Sequence, residues 1–256
     1  MGSGTYLDGY RGGLRGQGYV AGYPQQGAAT PPSNGLAAWF KADAGVTLSG
    51  GNATAWVDQI GGVSLAPYAA HVVPFNPASI NGLPGLTFNG SSGLFTASTA
   101  IRIGSVPRYL IAVCKTGTLV GFPTPASFGG GPWFAAQLDS AGDVYTDNAS
   151  RDQHSSFVAA PNTEYELEYG WDGNTSHLVT FSQNGTPETV VQGAGSGTSG
   201  GIGNKFTVGN ITSVALPVAS CGFVGDICEV LVYDHVLSAG DLATVRQYIL
   251  GRYGIS

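Results

Sequence analysis

The chain has 256 residues, including 41 glycines and 14 prolines, and only 10% of it is charged. That length suits one large β-domain or two smaller ones, and the composition favours many short strands joined by turns. The net charge is −6: Arg11, Arg15 and Asp8 give residues 1–34 a charge of +1, while 8 basic and 15 acidic residues give the rest −7. An acidic body argues against nucleic-acid binding, which needs a basic footprint. No apolar run approaches the length that spans a membrane, so membrane insertion is not expected.

Residues 1–34 are rich in glycine and poor in aliphatic side chains, and end in Thr30-Pro31-Pro32-Ser33-Asn34, a breaker typical of linkers. They read as an extended arm with two copies of Tyr-x-x-Gly-Tyr, Tyr6 to Tyr10 and Tyr19 to Tyr23. Tyrosine buries a large area at low entropic cost and keeps a polar tip. Tyr6, Tyr10, Tyr19 and Tyr23, with Arg11 and Arg15, are therefore expected to anchor the chain to a partner. No apolar signal region is visible at the start, so no secretory leader is expected. Cys114, Cys221 and Cys228 are odd in number and form no CxxC pair, and Cys114 and Cys228 lie in apolar runs, so buried reduced thiols are expected.

From Gly35 the chain becomes strand-like. Strands are predicted over 36–40, 55–57, 80–88, 109–113, 133–138, 143–145, 164–171, 177–182, 188–191, 205–208 and 223–233, separated by glycine, proline and asparagine. Asp172-Gly173-Asn174 and Asn184-Gly185 signal turns. One helix is predicted, at 239–253. Ser238 is its N-cap, Asp241 completes a capping box, and Leu237 with Leu242 forms a hydrophobic staple. Leu242, Val245 and Ile249 share one face, Gly254 is the stop, and Arg246 and Arg252 fall on the polar face. The pattern predicts an all-β, two-sheet sandwich at 35–256 with one C-terminal helix, preceded by the arm.

Several groups of residues are candidates for chemistry. Glu164, Glu166 and Glu168 alternate with Tyr165, Leu167 and Tyr169, which puts three carboxylates on one face of a strand. Paired acids can divide into acid and nucleophile. The same alternation describes any half-exposed strand, so the acids are read as a solvent face. Gly197-Thr198-Ser199-Gly200-Gly201 matches G-x-S-x-G, but a glycine loop precedes it and a strand follows, which is the wrong setting for a nucleophile elbow. Asp139, Asp143, Asp147 and Asp152 fall in one loop-rich region, where turn formation is favoured over metal binding. A sugar site needs aromatic faces beside amides and charges, and Trp133, Tyr145, Asp147, Asn148 and Arg151 supply these within one stretch. Asn52, Asn89, Asn148, Asn174, Asn184 and Asn210 head glycosylation sequons, read as chance in a chain so rich in Asn, Ser and Thr.

The run G-x-I-x-E-V-x-V-Y-D-x-x-L-S from Gly225 to Ser238 resembles the closing strand of LamG-type, concanavalin A-like lectin and glucanase domains. GLAAWFKADAGVTLSGGNATAWVDQIGG (Gly35–Gly62), INGLPGLTFNGSSGLF (Ile80–Phe95), YGWDGNTSHLVTFSQNG (Tyr169–Gly185) and the ending GRYGIS are similar to further blocks, in order, of that superfamily's bacterial and phage branch. The resemblance runs from Gly35 to Ser256 and implies a jelly-roll sandwich. With the missing leader and the tyrosine arm, it implies a non-enzymatic virion protein of a tailed phage: a head decoration, fibre or tail component made in the host cytoplasm. The arm would hold other virion proteins, the chain would form a homo-oligomer, and the body would face outward towards host glycan. A cellular or secreted glycan-binding module and a glycoside hydrolase are the alternatives. No cofactor is expected; calcium is the one ion the resemblance leaves open.

Overall fold

The structure, a computed structural model, describes residues 30–68, 71–96, 101, 107–129, 134–138, 143–147, 152–172, 179–192, 205–211 and 219–255. The first strands are β1 (Leu36–Lys41), β2 (Val46–Ser49), β3 (Asn52–Val57), β4 (Ser64–Pro67), β5 (Phe75–Ile80), β6 (Leu83–Asn89), β7 (Leu94–Thr96), β8 (Arg108–Thr116) and β9 (Ala126–Gly129). They continue as β10 (Phe134–Leu138), β11 (Asp143–Asp147), β12 (Asp152–Val158), β13 (Glu164–Trp171), β14 (Val179–Gln183), β15 (Thr186–Glu188), β16 (Val190–Gln192), β17 (Lys205–Val208) and β18 (Val224–Tyr233), followed by the helix α1 (Ala239–Tyr253).

These strands form two antiparallel sheets. Sheet I has eight strands in the order β15-β14-β13-β8-β18-β6-β5, with β1 also paired to β18. Sheet II has ten, in the order β16-β12-β11-β10-β9-β17-β7-β4-β3-β2. The inner faces of both sheets meet in one core. Sheet I supplies Phe40, Leu86, Phe88, Leu110, Leu167, Tyr169, Trp171, Val230 and Val232, and sheet II supplies Trp56, Leu65, Leu94, Phe128, Leu138, Phe206 and Val208. Period-two alternation produces this arrangement, since every second residue of a strand reaches the same face. The Arg108 guanidinium also enters this layer, 4.8 Å from the Trp171 ring and 5.6 Å from the Phe128 ring. Burial pulls its pKa down to about 9.

A second core lies on the other side of sheet I. There Ile80, Tyr109, Ile111, Val113, Cys228, Leu231 and Tyr233 pack under Val245, Tyr248, Ile249 and Tyr253 of α1. This is why β8 and β18 are apolar on both faces. The helix begins as the sequence predicts: the Asp241 N–H donates to the Ser238 hydroxyl at 3.1 Å, and that hydroxyl donates to the Asp241 carboxylate at 2.7 Å. Gly254 ends it in the left-handed region at φ 72°.

The predicted strand over 80–88 corresponds to β6; only Ile80 of it belongs to β5, which the prediction missed. Asn81 and Gly82 have φ of 49° and 73°, and they turn β5 into β6 as a tight hairpin. Asn184 and Gly185, with φ of 46° and 74°, make the same kind of turn between β14 and β15, as expected. Asn-Gly is a strong hairpin signal, and the apolar residues on both sides of Asn81-Gly82 hid it. Strands β2, β4, β7, β9 and β12 were also missed, as short or polar segments. Cys114, Cys221 and Cys228 are buried free thiols, as expected.

Candidate functional site

The residues expected to bind sugar divide between described and undescribed positions. Trp133, Asn148 and Arg151 lie outside the described residues. Tyr145 and Asp147 both fall on β11, in the middle of one end of sheet II. Tyr145 pairs in register with Gln137 of β10 on one side and His154 of β12 on the other, and Asp147 pairs with Asp152. Leu138 faces the core, so its neighbour Gln137 lies on the outer row of sheet II. Ser127 and Thr207, register partners on β9 and β17, lie on that same outer face between core residues. These three are neutral and buried, while Lys205, two positions before Thr207 on β17, shares their row and is half-buried. Gln137 is 2% exposed. Its amide donates to the Thr124 hydroxyl at 3.2 Å, while its Oε1 is buried with no hydrogen-bond partner. Ser127 donates to the Asn210 carbonyl at 3.1 Å.

The acidic row of β13 lies elsewhere, on the outer face of sheet I, and it corrects the expectation of a solvent face. Only Glu164 is partly exposed, 3.6 Å from Lys115. Glu168 is fully buried beneath α1. Arg246 grips both its oxygens, Nε to Oε1 at 2.7 Å and Nη2 to Oε2 at 2.7 Å, and the Tyr109 hydroxyl donates to Oε2 at 2.8 Å. Gly170 makes this possible, because a Cβ there would lie 2.7 Å from the Tyr109 ring. Burial and the neighbouring Glu168 push the Tyr109 hydroxyl well above the ordinary phenol range. Glu166 is buried beside this group, and burial followed by the charge of Glu168 raises its pKa to about 8.

A second buried carboxylate, Glu229 on β18, lies under the other end of the helix. It accepts from the Trp39 indole, from the Tyr248 hydroxyl at 2.7 Å and from the Tyr253 hydroxyl at 2.6 Å, and it sits 3.2 Å from the Arg252 guanidinium. Arg252 also pairs with Asp43. Burial raises the Glu229 pKa, and the three donors and Arg252 oppose that rise. Arg246 and Arg252, expected on a polar helix face, instead aim their charges at sheet I. The sequence reading missed Glu229, although a lone carboxylate inside the apolar run Ile227–Tyr233 was a usable signal. A buried charge there demands partners from another element.

Other candidates carry less. Residues 197–201 and the arm, with Tyr6, Tyr10, Arg11, Arg15, Tyr19 and Tyr23, lie outside the described residues, as does Asp139. Asp143 and Asp147 fall on β11 and Asp152 on β12, within the sheet rather than in one loop. Among the described residues no group of three His, Cys, Asp or Glu side chains is placed to hold a metal. No described helix is long and apolar enough to cross a membrane.

No protein-family model matches the sequence, and no curated protein matches it. Solved structures do. The chain is similar to the Trypanosoma rangeli sialidase in complex with the inhibitor DANA, at 15% identity and a TM-score of 0.57, over 84% of this chain and 33% of that one. It is also similar to domain 4 of AbnA, a GH43 extracellular arabinanase from Geobacillus stearothermophilus, in complex with arabinotriose. There the identity is 12% and the TM-score 0.58, over 83% of this chain and 97% of that domain. A Trypanosoma rangeli sialidase mutant displaying trans-sialidase activity matches at 17% identity and a TM-score of 0.58, over 85% of this chain and 33% of that one. The chain thus spans about a third of the length of the sialidases and nearly all of the arabinanase domain.

At these identities the likeness establishes the fold, a β-sandwich that occurs in carbohydrate-active proteins. The expectation that the chain is not an enzyme is overturned by these matches, which are to sialidases and to a domain of a glycoside hydrolase. None of them is a phage protein, so the phage branch of the resemblance finds no support among them.

Proposed function

We propose that this sandwich recognises carbohydrate as part of a glycoside-hydrolase type of protein, and that the glycan lies on the outer face of sheet II around Tyr145 and Asp147. The match to nearly the whole of an arabinanase domain solved with arabinotriose carries this reading. Tyr145 and Asp147, two positions apart on β11, put an aromatic residue and an acid on one face of that strand, which supports the choice of face because sugars are read by polar groups beside an aromatic ring.

Titration calorimetry with arabinotriose and with sialic acid, alongside reducing-sugar release from a polysaccharide panel, tests the reading. Binding to at least one glycan is expected. Tyr145→Ala and Asp147→Ala are each expected to weaken it about tenfold, roughly 1.4 kcal/mol, while the melting temperature stays put. Absence of both binding and hydrolysis across the panel sinks the proposal. Binding unaffected by either change moves the site off this face.

A narrower reading places the domain on a virion, held there by Tyr6, Tyr10, Arg11, Arg15, Tyr19 and Tyr23. It draws on the sequence of residues 1–34 alone. Deleting residues 2–34 is then expected to abolish incorporation into the particle with the melting temperature unchanged, and wild-type loading of the truncated chain would rule it out.

A further inference from the structure

The charge balance under α1 does not close if every acid on β13 is ionised. Glu168 is buried with its two oxygens fully engaged by Arg246 and Tyr109. Glu166, two positions earlier on the same face of β13, is buried next to it. Two carboxylates cannot hydrogen-bond; a bond between them needs a proton on one. The Glu166 Oε1 is, moreover, buried and receives no donor. An ionised Glu166 would leave that oxygen charged and uncompensated, whereas a neutral carboxyl can supply its own hydrogen.

Among the described residues, Arg246 is the cation set against these two buried acids. On the strand of Glu166 stand Glu168 and, at the exposed end, Glu164, which faces Lys115. From β8 comes the Tyr109 hydroxyl, already committed to Glu168. The turn after β14 gives the Gly185 N–H, which favours the ionised form slightly, and Asn184, whose side chain accepts from the Glu166 N–H at 2.8 Å. From α1 comes Arg246, whose nitrogens are bound to Glu168.

We propose that Glu166 and Glu168 share a single proton beneath α1, and that losing it in alkaline solution loosens the helix from sheet I. With the proton present, Arg246 faces one negative charge and binds it through both nitrogens. With the proton gone, a second charge appears in a buried position beside a guanidinium already bound to the first. Arg246 is also the route by which the change reaches the helix, since the same side chain is the polar tie between α1 and β13.

The direction follows from linkage. The folded-state value for Glu166, about 8, lies above the ordinary 4.5. The folded protein therefore holds more protons than the unfolded chain between these values. The stabilisation is complete below the lower value and is lost as pH rises through the upper one.

Melting temperatures of wild type and Glu166→Gln across about pH 5 to about pH 9 test the proposal. Glutamine is a permanently neutral donor of similar shape, so its advantage over wild type is expected to grow steadily with pH and to level off near the top of the range. Glu229, whose shift has the same sign, is present in both proteins and cancels in the difference. Glu166→Met, also neutral and of similar volume, is the second variant should glutamine fold poorly. Amide exchange over residues 239–253, corrected for intrinsic rates, is expected to speed up in alkali in wild type and not in the neutral variants. A pH-independent difference between wild type and both variants, or helix exchange that follows pH equally in all three, would overturn the proposal.

Discussion

The two outer faces of the sandwich handle polar side chains in opposite ways. The outer face of sheet I carries charge: Glu168 and Glu229 are both fully buried, and each is met by an arginine and by hydroxyl donors. The outer face of sheet II, on its β9, β10 and β17 strands, buries the neutral Ser127, Gln137 and Thr207 and leaves Lys205 of the same row only half-buried. A buried charge must have a dedicated partner in fixed geometry, and removing the partner costs about 3–5 kcal/mol. A neutral amide or hydroxyl can change partners cheaply, because each hydrogen bond nets only about 1 kcal/mol. The buried charges are therefore suited to holding a helix permanently, whereas the buried neutral groups bind their neighbours less exclusively. Charged residues drew the eye in the sequence, yet they mark the structural face.

The strongest way to break this comparison is to expel the helix. Val245→Asp or Ile249→Asp places an unpaired carboxylate among residues that are fully buried, and soluble yield is expected to collapse. Variants that express and melt like wild type would show that α1 does not close sheet I. Next, Arg246→Ala leaves the buried Glu168 without its cation and is expected to cost about 3–5 kcal/mol in denaturant unfolding. A loss below about 1 kcal/mol would mean that the site admits water freely. The smallest effect should come from Glu164→Gln. Its pair with Lys115 is partly exposed at 3.6 Å, so a change within about 0.5 kcal/mol is expected in the same assay. Equal losses for Arg246→Ala and Glu164→Gln would erase the distinction between buried and open ends of one acidic row.

Much of the fold was legible because it is written locally. Alternation along β1 and β13, the Asn184-Gly185 turn, and the cap residues Ser238, Asp241 and Gly254 all act over a few residues. What stayed hidden depends on distant partners. Glu168 and Arg246 are 78 positions apart, and nothing near Glu168 says that a helix will cover it. Alternation shows which residues share a face, never what lies against that face. Strand β18 hides its own pattern as well. Its register shifts between Ile227 and Glu229, so Cys228 and Glu229 both turn towards α1 and the period-two count fails at that point. The five expected sugar contacts were likewise placed by proximity in sequence, and of them only Tyr145 and Asp147 fall on a described strand.

The position of β18 also bears on how the protein is made. It sits inside sheet I, paired to β8, β6 and β1, yet it follows all three in the chain, and Leu36 finds Tyr233 only after nearly every other strand has been synthesised. Until then β1, β6 and β8 lack their shared neighbour and offer open backbone edges to other growing chains. Pairing across such distances is slow, and exposed edges invite association while it proceeds. Nascent chains should accordingly be most vulnerable to aggregation before β18 emerges, and chaperones that shield strand edges should raise the yield of folded protein.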